Sequence, residues 1–131
     1  MKVLVIAPHA DDETLGMGGT IALMSERGFD VHVAIITGYG EKKEHPILSV
    51  DAWDRVLKEN KKALEILGVK NTSHTNLPAI CIENIPRWEI NKVFLELICN
   101  VKPDEIYVPF LNDLHKDHEY IFYAVNVAAR P

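Results

Sequence analysis

The chain has 131 residues, 47% hydrophobic and 25% charged, with a net charge of −5. This suits one globular domain that buries roughly two thirds of the surface of its unfolded chain, and it excludes disordered and fibrous classes. The acidic balance argues against nucleic acid as a partner, and no run approaches the roughly 20 apolar residues that span a bilayer.

The first element is the apolar run Val3 to Ala7, which ends in Pro8-His9-Ala10-Asp11-Asp12-Glu13. Such a run reads as a buried parallel strand with a polar cluster at its carboxyl end. It has no cleavage site and leads straight into acids, so it is not read as a signal peptide, and a cytoplasmic location is expected. Thr14 is the expected cap of a first helix that runs to Gly28. Gly16, Gly18 and Gly19 weaken that helix and suggest close backbone approach; they do not form the GxGxxG of a nucleotide-binding loop.

Val31 to Ile36 reads as the second strand, followed by the loop Thr37 to Leu48, with Ser49 or Asp51 capping the next helix. Trp53, Val56, Leu57, Asn60, Leu64 and Leu67 form the inward face of that helix, which ends at Gly68. Lys42, Lys43, Lys61 and Lys62 are read as solvated. The polar stretch Val69 to Leu77 suggests an edge strand, and Pro78 to Ile85 a loop. Pro86 fits the first position of a helix whose stripe is Ile90, Val93, Phe94, Leu97 and Ile98. A fourth strand, Glu105 to Pro109, precedes a second polar cluster, Asn112 to His118, and a last helix presenting Ile121, Ala124, Val125 and Ala128. Cys81 and Cys99 lack CxxC spacing and read as buried free thiols of a reducing compartment.

The alternation of strands and helices predicts an α/β fold of Rossmann-like type, a doubly wound, mostly parallel sheet flanked by helices. In the order 3-2-1-4 the topology reverses between the first and fourth strands, and both polar clusters flank one crevice. His9 and Asp12 are spaced to face one point, and His115 and His118 share a helix face. Two histidines and one carboxylate, drawn from His9, Asp12 and His118, would hold a catalytic zinc ion with a fourth position open. Asp11 could act as general base, activating zinc-bound water. His115 could stabilise an oxyanion or protonate a leaving amine, and Asp113 or Asp117 could orient a histidine from behind. Capping and dipole compensation is the competing reading of Glu13, but it does not explain a His directly after a buried strand. Mixed His and carboxylate ligation also suits other divalent metals. His32, His45 and His74 are left without a role.

Pro8-His9-Ala10-Asp11-Asp12-Glu13 resembles the opening motif of the LmbE-like, or PIG-L, N-acetylglucosaminyl deacetylases, whose usual form has Pro where this chain has Ala10. Asp113-Leu114-His115-Lys116-Asp117-His118 resembles that family's HxDH motif, and Thr37-Gly38 and Arg55 to Val69 are similar to its intervening pattern. The resemblance implies an LmbE-like deacetylase domain over residues 1–131. In it His9, Asp12 and His118 correspond to the zinc ligands, Asp11 to the general base and His115 to the residue stabilising the tetrahedral intermediate. The implied reaction is hydrolysis of the N-acetyl group of an amino sugar or glycoconjugate. Arg55 is a candidate substrate contact, with an ion pair to Glu59 as the competing reading. Family members usually continue beyond the position of Pro131, so part of the substrate wall is expected to lie outside this sequence. An exposed sheet edge left there would favour a homo-oligomer. A metal- or ligand-binding module without catalysis is the alternative function.

Overall fold

Along strand β1 (Lys2–Ala7) the side chains alternate between two cores. Val3, Val5 and Ala7 face one and Leu4 and Ile6 the other, and all are buried. Strand β2 (Asp30–Gly38) repeats the division, with Val31, Val33 and Ile35 against Ala34 and Ile36. Central strands of a parallel sheet are covered on both faces, which is why these runs are apolar throughout. The structure, a computed structural model, describes residues 1–40 and 45–130. Lys42, Lys43 and the middle of the loop before Ser49 lie outside the described residues.

The sheet has the order β3-β2-β1-β4, with β3 (Asn71–Pro78) and β4 (Glu105–Tyr107) at its edges and every pairing parallel. Helices α1 (Asp12–Glu26) and α2 (Val50–Ile66) cover one face through Ile21 and Leu64. Helices α3 (Arg87–Val101) and α4 (Lys116–Ala128) cover the other through Ile90, Phe94, Leu97, Ile121 and Val125. Each such fully buried side chain contributes about 1.5–3 kcal/mol. Both the strand order and the reversal between β1 and β4 are as expected from the sequence.

Several local expectations are corrected. Helix α1 is capped at Asp11 and not at Thr14, because the Asp11 carbonyl already accepts the Leu15 N–H at 2.9 Å and so opens the helical ladder. An added Cβ would meet nothing at Gly16 or Gly19 and only an ordinary 3.8 Å contact at Gly18, so close approach to the sheet does not require these glycines. Pro86 occupies the cap position and Arg87 begins α3. Of the two candidate caps of α2, Ser49 accepts the Ala52 N–H. Strand β4 stops at Tyr107, and the Pro78–Ile85 loop contains a 3-10 turn, Ile82–Asn84. Cys81 and Cys99 are both free, but neither is buried: Cys81 is half-buried and Cys99 is exposed on α3.

Glu13 lies in the first turn of α1, as the capping alternative has it, but its side chain has a further commitment. Its side chain is only 2% exposed and lies between α1 and α2. One carboxylate oxygen accepts from Thr14 Oγ1 at 2.7 Å and from Asn60 Nδ2 at 2.9 Å. Burial raises the Glu13 pKa above the ordinary carboxylate value, against the Thr14 hydrogen bond. Asn60, the one amide on the inward stripe of α2, is therefore there to satisfy a buried acid. Asn60→Ala leaves that acid short of a donor and is expected to lower unfolding free energy by about 1–3 kcal/mol in urea titrations. The exposed Lys58→Ala control should stay within about 0.5 kcal/mol of the parent. Equal stability of the two variants would show that the tie contributes nothing.

Candidate metal centre and active site

The turn after β1 is built from its own polar groups and one clamp from β2. The Pro8 carbonyl accepts both the Thr37 N–H at 3.0 Å and the Thr37 hydroxyl at 2.8 Å, and Thr37 is fully buried. With Pro8 fixed, His9 leaves the strand end in one direction. Its backbone N–H donates to Asp12 Oδ2 at 2.8 Å, which turns the Asp12 carboxylate back toward the His9 ring. Parallel pairing of β1 with β4 then brings in the start of α4 from the far end of the chain.

The outcome is a triangle of donor atoms. Asp12 Oδ2 lies 3.3 Å from His9 Nδ1 and 3.2 Å from His118 Nε2, and those two nitrogens are 3.3 Å apart. Each ring is held from its outer side. His9 Nε2 faces Asp117 Oδ2 at 3.0 Å, and His118 Nδ1 faces Asp113 Oδ2 at 2.8 Å. A carboxylate only accepts, so the outer nitrogens keep their protons, and with a metal bound the inner ones would give up theirs and donate a lone pair.

The electrostatics match. Burial alone would lower the His9 pKa, but hydrogen bonds to Asp117 and Asp12 and their charges push it up to about 9. Burial works in the opposite direction on Asp12 and Asp117, yet the His9 contacts hold both below the ordinary carboxylate range. The His115 backbone N–H and the His118 ring lower Asp113 as well. A field strong enough to keep a proton on His9 is a field that attracts a cation.

The donor set fits a metal ion. Tetrahedral ligands at about 2.0–2.2 Å from an ion lie about 3.3 Å from one another, which is the edge length of this triangle. His9, His115 and His118 also have donor atoms within 4.8 Å of one another, but that wider set is the poorer match to a tetrahedral centre. His115 has a different commitment, since its Nδ1 accepts the Asp117 N–H at 3.2 Å as the cap of α4. Its proton therefore sits on Nε2, in an exposed ring 4.6 Å from that of His9. Asp11 is exposed at the cap of α1, and no side-chain hydrogen bond occupies it there. A cleft of about 360 Å³ opens beside the triangle, bordered by Pro8, Asp12, Tyr107, Phe110, Asp113 and His118.

The structure thus brings His9, Asp12, His118, His115, Asp113 and Asp117 together, with Asp11 adjacent. Arg55 is exposed on α2, and among the described residues it forms no ion pair with the cluster or with Glu59. The unassigned histidines have local partners: Ser73 for His32, the Ala79 carbonyl for His45 and the Thr37 carbonyl for His74. Two contributors were missed from the sequence. Thr37 could have been suspected as the buried hydroxyl ending an apolar strand, whereas the Ile80 N–H, which donates to Asp117 Oδ2 at 2.8 Å, carries no sequence signal.

Known proteins resemble this chain along most of its length. Residues 4–129 match the family described as PIG-L, GlcNAc-PI de-N-acetylase. Diacetylchitobiose deacetylase of Thermococcus kodakarensis is 30% identical over 128 residues, covering 91% of this chain and 45% of that protein. YaiS of Escherichia coli K12, described as an uncharacterized deacetylase, is 28% identical over 133 residues, covering 98% of this chain and 68% of its own. The structure of N,N'-diacetylchitobiose deacetylase from Pyrococcus horikoshii, complexed with an inhibitor, superposes with a TM-score of 0.81 at 27% identity, covering 97% of this chain and 48% of that one. The chain spans about half the length of these two diacetylchitobiose deacetylases. With the match running from β1 through α4 and taking in both polar clusters, this chain belongs to the PIG-L (LmbE-like) family.

Proposed function

We propose that this chain hydrolyses the N-acetyl amide of an N-acetylglucosamine-type sugar or glycoconjugate, with zinc held by His9 Nδ1, Asp12 Oδ2 and His118 Nε2. The observation that carries this reading is the triangle of donor atoms at 3.2–3.3 Å whose outer nitrogens are both held by carboxylates. Family membership and the deacetylase relatives support the reaction class. When bound, zinc would polarise the amide carbonyl and lower the pKa of a coordinated water to about 7.

The chain's own residues supply the proton transfers. The exposed Asp11 carboxylate, adjacent to Asp12, takes a proton from the attacking water and returns it to the departing amine. The water oxygen forms the new C–O bond, the C–N bond breaks, and acetate and the free amine leave. His115 presents an Nε2–H beside the triangle, placed to donate to the oxyanion as it develops. Asp113 and Asp117 keep the histidine rings in the tautomers that ligation requires. The substrate is a small molecule, and the cleft along Tyr107 and Phe110 offers it an apolar wall.

Zinc-loaded protein is expected to release acetate from N-acetylglucosamine compounds, N,N'-diacetylchitobiose among them. Asp11→Asn should keep its zinc while kcat falls by about 10²–10⁴-fold. His118→Ala should lose the metal as well, as read by elemental analysis after dialysis. Normal turnover by Asp11→Asn would remove the base assignment. Tightly held zinc without acetate from any compound would favour the non-catalytic, metal-binding alternative.

Asp113→Asn, which weakens the hold on the His118 ring, should lower zinc affinity by about 10–100-fold in competition with a chromophoric chelator. An unchanged affinity would detach Asp113 from the centre.

A further inference from the structure

Ile80 adopts a left-handed backbone conformation, with φ 55. That conformation crowds a β-branched side chain against its own backbone, and glycine would adopt it without strain. The turn is pinned from several directions. Ala79 N–H donates to the Gly38 carbonyl at 3.0 Å, the Ala79 carbonyl accepts from His45 Nε2 at 3.2 Å, and Ile80 N–H donates to Asp117 Oδ2 at 2.8 Å. The same Asp117 oxygen holds His9 Nε2, so the turn is anchored directly on the candidate centre.

This anchoring accounts for the backbone conformation but not for the isoleucine, because only the N–H is used. Core packing does not account for it either. Ile80 belongs to neither apolar core and stays 37% exposed, while Ala79 and Ile82 on either side are 3% and 0% exposed. Ile80 thus combines a strained backbone tied to Asp117 with an apolar side chain that stays partly exposed. Strain of this kind, held in place by its surroundings, points to a ligand contact.

We propose that Ile80 is a specificity-determining contact of the site, its side chain packing against the apolar C–H face of the sugar ring that bears the scissile N-acetyl group. This rests on the amidohydrolase reading above. It uses Ile80 in two independent ways, the N–H toward Asp117 and the side chain toward substrate.

The test compares zinc-loaded wild type, Ile80→Gly and Ile80→Val for metal content, Tm and steady-state kinetics on N,N'-diacetylchitobiose. Ile80→Gly should keep its zinc and melt no lower than wild type, since it relieves the strain. Its KM should rise by about tenfold with kcat little changed, the sign of lost binding that ground and transition states share. Ile80→Val, which keeps a branched apolar contact, should recover most of that loss. A lower Tm for Ile80→Gly would make Ile80 a structural residue, and an unchanged KM would remove the contact while leaving the deacetylase reading intact. If wild type shows no turnover, calorimetric affinity for the same disaccharide replaces KM, and equal affinities of wild type and Ile80→Gly overturn the proposal. Wild type that neither turns over nor binds the disaccharide overturns both readings together.

Discussion

The site depends on the parallel pairing of β1 with β4. Val3 lies opposite Glu105 and Val5 opposite Tyr107, so the two strands end side by side. That register places the turn after β1 against the start of α4 and brings His9 and His118, 109 positions apart, to within 3.3 Å. The chain reverses its winding between these strands, the place where an open α/β sheet leaves a crevice outside its carboxyl ends. A slip in the β1–β4 register would separate the ligand sets while leaving each motif locally intact.

Around this register the protein assembles a cluster whose parts are costly to bury singly and are compensated only together. Asp117 is 1% exposed, and its carboxylate is tolerable because one oxygen accepts from both the His9 ring and the Ile80 N–H. Its other oxygen has no partner among the described residues. Glu13, one residue beyond Asp12, is likewise buried and relies on Asn60 and Thr14. The first turn of α1 therefore carries exposed Asp11, half-buried Asp12 and buried Glu13, three acids in three environments. Environment, and not residue type, separates their roles.

The turn at Ile80 extends the same logic to the other wall. Its backbone is fixed by groups from β2, α4 and the loop before α2, so several elements converge on one strained residue. Backbone strain survives only where the surroundings over-determine it. This chain matches about half the length of the diacetylchitobiose deacetylases, and it contains the donor triangle, the carboxylates behind it and this turn.

The sequence by itself determined the fold class and the two clusters, because burial on both faces of a parallel sheet writes long apolar runs and a strand-end His next to acids has no packing rationale; the strand order was one that would join the clusters, and the tertiary structure has it. It also determined which residues could ligate or support a metal, since chemistry restricts those roles to few side chains. It misplaced the cap of α1 and left Glu13 between capping and another role, since an acid at a helix start looks alike whether exposed or packed against Asn60 of another helix. Only the tertiary structure decided that Glu13 is tied to Asn60, that the Thr37 hydroxyl clamps Pro8 and that Ile80 is held in a left-handed turn. Those facts depend on contacts between residues distant in sequence, and on a backbone torsion that no residue pattern specifies when the residue is isoleucine.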